Sequence, residues 1–456
     1  MGNAEFSSFD SLYEIDPGLN FDSMIDSYLF MTATEPSSLN TTPWTSRYRA
    51  LEPSMKATIF QQPTDSYRSV TNLQMDKPNP LAKKKKYKPR DRKVRPVPTN
   101  FPNPAAQQFK PIPLSTPLQF PTHPIEYQQL QYSSRVTLER LESMLARIES
   151  GILTPEETNL LAFVVVSREK AFAFDHSEKG MFSREFYPDY EIPTIEHVPW
   201  QKPPIRIPNA IIKEVKQEIR DQEKSGKFEP TTSSYRSALF AVAKKKGVRL
   251  VINLEPLNEV TIQDASLPPN INEFAEWFLG YAMYGLLDLF SGFDARWVAE
   301  KSRPLQAFHT PIGPRQQTTL VQGYTNSVQE FQRCTKHALL PVADIADNFI
   351  DDCGLIGPNT RYGERSVPEN PGIRQFVWEY IRNLDRVLAA MIQAGITASG
   401  PKAVLAATKL RIVGSVVSLE GWVIEPSVVQ RILDWPLLTS VTDIRSFLGT
   451  AGVGRK

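Results

Sequence analysis

Nine lysines and arginines crowd the thirteen residues from Lys83 to Arg95 (Lys83, Lys84, Lys85, Lys86, Lys88, Arg90, Arg92, Lys93 and Arg95), with Asp91 the one acid among them. Such a run repels itself and cannot collapse into a core. It lies between two other stretches with the same handicap. Upstream, residues 1–55 hold eight acids and two bases, rich in Ser, Thr and Asn, with aromatics of no period. That composition predicts a disordered acidic and polar tail, taken over residues 1–80. Downstream, Pro96 to Pro124 contains nine prolines, which predicts extended, unpacked chain and makes 81–125 a basic, Pro-rich linker. Folded structure is expected from near residue 135. The basic block itself reads as a solvated linker, a nucleic-acid arm or a nuclear localisation signal.

The chain has 456 residues, room for two to four domains at roughly 100–200 residues each. Fifty-two basic against fifty acidic side chains give a net charge of +2, so any affinity for an anionic partner must come from local patches. Cys334 and Cys353 are the only cysteines. Two thiols build neither a disulfide framework nor a Cys-rich zinc site, which points to a reducing compartment. No run approaches 18 apolar residues, and the first ten residues lack a basic-then-apolar signal pattern. The expectation is a soluble intracellular protein without a membrane partner, in a cytoplasmic particle or the nucleus. Oligomeric state is left open.

Periodicity places the elements. Leu138, Leu141, Leu145 and Ile148 recur at helical spacing, and Gly151 ends that helix. Thr154-Pro155-Glu156-Glu157 reads as a capped helix start, with the helix running to about Phe172. These two helices, within an extension over 126–200, read as a packing hairpin with no chemistry. A further helix opens at Pro208 and closes at Gly226. Leu239–Ala243 and Arg249–Asn253 read as strands joined by the basic turn Lys244-Lys245-Lys246-Gly247. Tyr284–Leu289 reads as a strand, Asn326–Leu340 and Gln375–Gly395 as helices, and Leu410–Leu419 as a strand pair. Without regular strand–helix alternation, α+β is the expected class.

Two acidic sites terminate apolar segments: Leu286-Leu287-Asp288-Leu289-Phe290 and Asn348-Phe349-Ile350-Asp351-Asp352. Carboxylates beside Leu, Ile and Phe are costly unless a cation compensates. Three acids from neighbouring strands would form a hard oxygen cage for magnesium, and two such ions support phosphoryl transfer.

Around these acids the chain resembles the reverse transcriptase of gypsy-class long-terminal-repeat retrotransposons, in a fungal-type branch. The resemblance spans roughly 185–456. Its pieces come in order: Ile205 to Pro208, Tyr235-Arg236-Ser237, Pro256-Leu257-Asn258-Glu259-Val260-Thr261 and Leu287-Asp288-Leu289-Phe290-Ser291-Gly292-Phe293. Then follow Gln322-Gly323-Tyr324-Thr325-Asn326-Ser327, Phe331-Gln332, Phe349-Ile350-Asp351-Asp352, Ile412-Val413-Gly414 and Arg445-Ser446-Phe447-Leu448-Gly449. It implies a right-hand polymerase fold, with fingers and palm over 201–425 and a thumb start over 426–456.

The implied activity is RNA-directed DNA polymerisation with two Mg2+ ions, a template–primer of RNA or DNA, and deoxynucleoside triphosphates. Asp288, Asp351 and Asp352 become the catalytic carboxylates. Asp288 and Asp351 are the principal metal ligands, Asp352 supports them, and Leu289 lends its backbone carbonyl. Phe293 becomes a steric gate against a ribose 2′-hydroxyl, and Gln322 contacts the incoming nucleotide. Arg249 with Lys244 or Lys245 holds the triphosphate, and Lys402 donates a proton to pyrophosphate. Val413 and Gly414 form a primer grip.

The departures are specific. Val321 stands where the family has Pro, Asn253-Leu254-Glu255 replaces Asp-Tyr-Arg, and the segment from Cys353 to Pro371 is longer than usual. Neither an Asp-Thr/Ser-Gly protease motif nor a zinc-ligand set is present in the sequence. Because the sequence stops at Lys456, it reads as a polymerase core cut from a polyprotein or a decayed element. The alternatives are a catalytically inactive nucleic-acid-binding descendant and an interaction protein that recruits a partner through its acidic tail.

Overall fold

The computed structural model describes residue 99, residues 101–102, 108–113, 115–243 and 247–452. The acidic tail, the basic block and the Lys244–Lys246 turn lie outside the described residues. Residues 96–436 form one compact unit; the C-terminal helix named last below lies outside it and is described by itself.

The Pro-rich stretch is irregular in backbone, as its prolines dictate, but it is not unpacked. Between its prolines stand Phe109, Ile112, Leu118 and Phe120, and Ile112 is buried in the main core with the other three packed against it. Phe109 meets Tyr187 and His337 edge-on at 5.0 and 5.1 Å. Phe120 meets Trp378 at 5.3 Å, and the Leu118 N–H donates to Asp385 at 2.9 Å. Ordered packing therefore begins near residue 108, not 135. Proline count argued against secondary structure, and the interleaved apolar residues decide the burial.

Helix α1 (Leu138–Leu145) and helix α2 (Pro155–Ser167) follow. Thr154 caps α2, and Glu157 returns the bond to the Thr154 N–H, a reciprocal capping box. Glu157 is fully buried because Arg374 also pairs with it at 2.7 Å. Helix α2 ends at Ser167 rather than Phe172, and Phe172–Ala173 form strand β1.

Helix α3 (Ile212–Lys224) buries Val215 and Ile219 and starts four residues after Pro208. Strand β2 (Phe228–Pro230) precedes the hairpin of β3 (Leu239–Ala243) and β4 (Val248–Ile252), whose register runs from Leu239↔Ile252 to Ala243↔Val248. These elements share a small core of Val215, Ile219, Phe228, Leu239, Val248 and Phe308. Short helices α4 (Glu255–Val260) and α5 (Ile271–Trp277) lead to β5 (Tyr284–Asp288). Strands β6 (Ala307–Thr310) and β7 (Gly313–Gln317) form a three-stranded sheet with β2, in the order β2-β7-β6.

Helix α6 (Ser327–Leu339) packs behind β8 (Ala346–Phe349), which turns into β9 (Asp352–Ile356). A hairpin of β10 (Ser366–Val367) and β11 (Asn370–Arg374) then enters α7 (Gln375–Ala394). Twelve residues of α7 are buried, and Gly395 closes it in the left-handed conformation at φ 83°. Strand β12 (Ala398–Ser399) pairs parallel with β1. Strand β13 (Val404–Ala407) completes a four-stranded antiparallel sheet in the order β13-β5-β9-β8.

Three strands follow in a meander: β14 (Lys409–Ile412), β15 (Ser415–Ser418) and β16 (Gly421–Ile424), one more than the expected strand pair. Helix α8 (Pro426–Leu433) and helix α9 (Val441–Gly452) end the described chain. Helices and strands mix as the α+β class predicts. Among the described residues no helix is long and apolar enough to cross a membrane.

Candidate active site

The two acidic sites meet at one end of the two inner strands of the four-stranded sheet. Strand β5 is apolar because it is the second strand of that sheet, with Tyr284 and Leu287 fully buried. Its last residue, Asp288, stands opposite Asp352, the first residue of β9. Phe349, the last residue of β8, also registers with Asp352. Ile350 and Asp351 form the connecting turn, so Asp351 lies in the hairpin turn and Asp352 opens the strand that follows. The Leu289 N–H donates to the Asp351 carbonyl at 2.8 Å and ties the two sites together.

That turn is strained and supported. Ile350 has φ 56°, unusual for a β-branched residue. Its N–H donates to the Gln332 side-chain oxygen at 2.7 Å, and Asn348 Nδ2 donates to the Ile350 carbonyl at 3.0 Å. Gln332 Nε2 in turn donates to the Asn348 carbonyl at 3.1 Å. Gln332 and Asn348 are both buried. Neither had been assigned a role from sequence, although Gln332 belongs to the Phe331-Gln332 piece.

The electrostatics are those of crowded acids. Burial, opposed by Lys402, raises the Asp288 carboxyl above its ordinary range. Asp351 opens to solvent at its tip, yet the surrounding protein, then Asp288, raises it too. Asp352 is pushed up to about 7 by burial first, then by Asp351 and Asp288. Lys402 provides the compensating charge, with its Nζ 3.3 and 3.2 Å from the two Asp288 oxygens. Three carboxylates and the Leu289 carbonyl are hard oxygen donors, and relief of their repulsion requires positive charge, so the donor set suits a divalent cation. Among the described residues no three acidic, His or Cys side chains are gathered into one coordination shell. The set fits by chemistry and is not a preformed cage.

The other expected site residues distribute as follows. Phe293 lies in a 3-10 turn (Gly292–Ala295) and packs on Phe331 at 5.1 Å between two hydrophobic clusters. One of those clusters contains Val321 and Tyr324, which flank the exposed Gln322. Val321 is buried where the family has Pro. Arg249 lies on β4 opposite Val242, while Lys244 and Lys245 fall outside the described residues. Val413 and Gly414 form the two-residue turn between β14 and β15, with φ 43° and 78°. Two left-handed residues in a two-residue hairpin define a type I′ turn. The structure thus joins Asp288, Leu289, Asp351, Asp352 and Lys402 in one cluster and carries the rest on separate elements.

No protein-family model matches the chain. It is 30% identical over 251 residues to the retrovirus-related Pol polyprotein from transposon opus of Drosophila melanogaster, covering 53% of this chain and 23% of that polyprotein. It is 27% identical over 249 residues to the Pol polyprotein from transposon gypsy of the same organism, covering 53% and 22%. The chain therefore spans under a quarter of the length of these curated relatives. Its fold is that of the foamy viral protease–reverse transcriptase, solved in complex with double-stranded DNA. That match has TM-score 0.60 and 17% identity, covering 72% of this chain and 54% of that one. By sequence this chain is similar to retrovirus-related Pol polyproteins of Drosophila transposons, and its fold is similar to that of a foamy viral protease–reverse transcriptase.

Proposed function

We propose that this chain is an RNA-directed DNA polymerase, transferring nucleotides from deoxynucleoside triphosphates to a primer 3′-hydroxyl on an RNA or DNA template. The observation that carries this reading is the meeting of Asp288 with Asp351 and Asp352 at one end of the sheet's inner strands, compensated by Lys402. Asp288 and Asp351 would be the principal holders of two Mg2+ ions, with Asp352 and the Leu289 carbonyl in support. When bound, such ions activate the attacking hydroxyl and neutralise charge on the leaving pyrophosphate.

The chain's own residues do the rest by position and charge. The Gln332–Asn348 bonds hold the Asp351 turn at fixed height against Asp288. Phe293, braced by Phe331, presents an aromatic wall beside the acids' strand. Lys402 pairs with Asp288, and its mostly exposed side chain is long enough to turn toward a phosphate. Arg249 sits on a hairpin whose basic tip suits triphosphate charge. The named nucleic-acid complexes of the foamy viral enzyme, with double-stranded DNA and with an RNA/DNA hybrid, support a duplex partner here.

Primer extension on an RNA template with deoxynucleotides and magnesium tests the reading, beside Asp351→Ala. Extension abolished by the substitution is expected. Salt-sensitive template binding without extension, equal in both proteins, overturns it in favour of an inactive binder.

A further inference from the structure

Residues that flank the two helices read from sequence as a packing hairpin grip the turn that carries Lys402. That turn, Ser399-Gly400-Pro401-Lys402, leaves β12 and closes on itself through the Lys402 and Ala403 N–H groups, which donate to the Ser399 carbonyl at 3.1 and 2.9 Å. Its other backbone bonds go to the N-terminal extension. The Gly400 N–H donates to the Ala173 carbonyl at 3.0 Å, at the end of β1. Arg147, just past α1, donates from one guanidinium nitrogen to the Gly400 carbonyl at 2.9 Å and from the other to the Pro401 carbonyl.

Packing seals the same contact. Gly400 is buried, and a Cβ there would sit 2.4 Å from the Phe174 ring. Phe174 is held by Arg140, whose guanidinium lies 4.5 Å over its ring and pairs with Glu178 at 2.7 Å. Glu178 accepts the Phe174 N–H at 2.8 Å. On the far side, Ala398 bridges to Leu289, the Phe290 N–H donates to the Thr397 carbonyl at 2.8 Å, and His176 meets Phe290 at 5.4 Å. The extension therefore reaches both the Lys402 turn and the residues that follow Asp288.

A lysine on a surface turn is a long, flexible point charge, and its tip is placed only as well as its backbone. Here the fork of Arg147 fixes two successive carbonyls of that backbone, a geometry for which the planar guanidinium is pre-organised and a flexible ammonium is not. We infer that Arg147 is a positioning residue for the polymerase reaction, acting through the Gly400–Pro401 carbonyls to set Lys402 against Asp288. The α1–β1 extension is then part of the active-site scaffold. This rests on the proposed function for its kinetic consequence, and on geometry alone for the clamp.

The test uses the full chain with Arg147→Ala and Arg147→Lys, each in the parent and in a Lys402→Met background. Arg147→Ala should slow single-nucleotide insertion on the order of ten- to a hundredfold in kcat, with deoxynucleotide KM nearly unchanged. Arg147→Lys should recover only part of the loss. In the Lys402→Met background, Arg147→Ala should cost nothing further, because the two residues act as one unit. Independently of polymerisation, hydrogen exchange over residues 397–403 should rise at least about tenfold in Arg147→Ala while the 346–356 hairpin stays unchanged. Equal losses in both backgrounds, a rise in exchange across the whole chain, or no change over 397–403 overturns the inference. If the parent does not polymerise, the functional reading fails by itself, and the exchange result still decides the clamp.

Discussion

Asp288 and Asp352 stand opposite each other across β5 and β9, and Asp351 reaches the same end of these strands from the adjoining turn. With burial and two neighbouring acids, the Asp352 carboxyl holds its proton to about pH 7, against 3.8 for an ordinary aspartate. Between those values the folded chain binds more protons than the unfolded chain, so this group makes stability fall as pH rises through the window. A rise of about three pH units at 1.36 kcal/mol each sets a ceiling of about 4 kcal/mol. Asp352→Asn should therefore be the more stable protein at pH 8 in a metal chelator, with the gap closing by pH 4. Urea unfolding at both pH values checks it; a variant no more stable than the parent at pH 8 sinks the idea. Adding Mg2+ at pH 8 should narrow the gap by stabilising the parent more.

The turn that presents Asp351 depends on a side chain from helix α6. Gln332 accepts the N–H of Ile350, a residue whose left-handed backbone is itself unfavourable. Gln332→Ala leaves that buried N–H without its partner and should cost about 1–3 kcal/mol. Because Gln332 and Asn348 bond each other as well as the turn, Gln332→Ala and Asn348→Ala should combine to less than the sum of their separate costs. A double-mutant cycle by chemical denaturation reads this directly, and strict additivity would refute a shared network.

Arg296 and Glu330 form the buried ion pair between the Phe293 turn and helix α6. The separation is 2.9 Å, with side-chain exposures of 1% and 3%. Arg333 adds a second cation to Glu330 at 2.7 Å. Removing Glu330 strands the Arg296 guanidinium in a low-dielectric interior, so Glu330→Ala should cost about 3–5 kcal/mol. Glu330→Gln keeps hydrogen-bond acceptance and should cost less. The ordering of the two melting transitions checks this; equal losses would assign the whole cost to the lost charge, with no share for packing or hydrogen-bond acceptance.

Much of this could be read from the chain. The capping box at Thr154–Glu157, the β3–β4 hairpin and the acid-terminated strand at Asp288 are local patterns, and local patterns survive folding. What escaped were contacts between distant segments. Nothing in the sequence near Phe109 or Phe120 says that Tyr187 and Trp378 will receive them, and a high proline count argued against it. Gln332 and Asn348 are 16 residues apart, and their pairing exists only because α6 packs behind β8. Arg147 lies 253 residues before Gly400, so its role belongs to the tertiary fold alone.

Phe293 separates a steric role from plain packing. It follows Asp288 by five residues, is half-buried, and rests on Phe331 at 5.1 Å with 43° between the rings. Contact with two hydrophobic clusters would explain the ring as core filler. Under the proposed function the same ring faces the sugar of the incoming nucleotide and collides with a 2′-hydroxyl. Phe293→Ala should then raise the ratio of ribonucleotide to deoxynucleotide kcat/KM on the order of ten- to two-hundredfold, the range a single steric contact supplies. Stability should fall by less than the roughly 3–5 kcal/mol of a fully buried phenylalanine. Steady-state insertion with matched dNTP and rNTP, beside a thermal melt, distinguishes the two. A destabilised variant with unchanged sugar preference would make Phe293 a core residue and move the gate elsewhere.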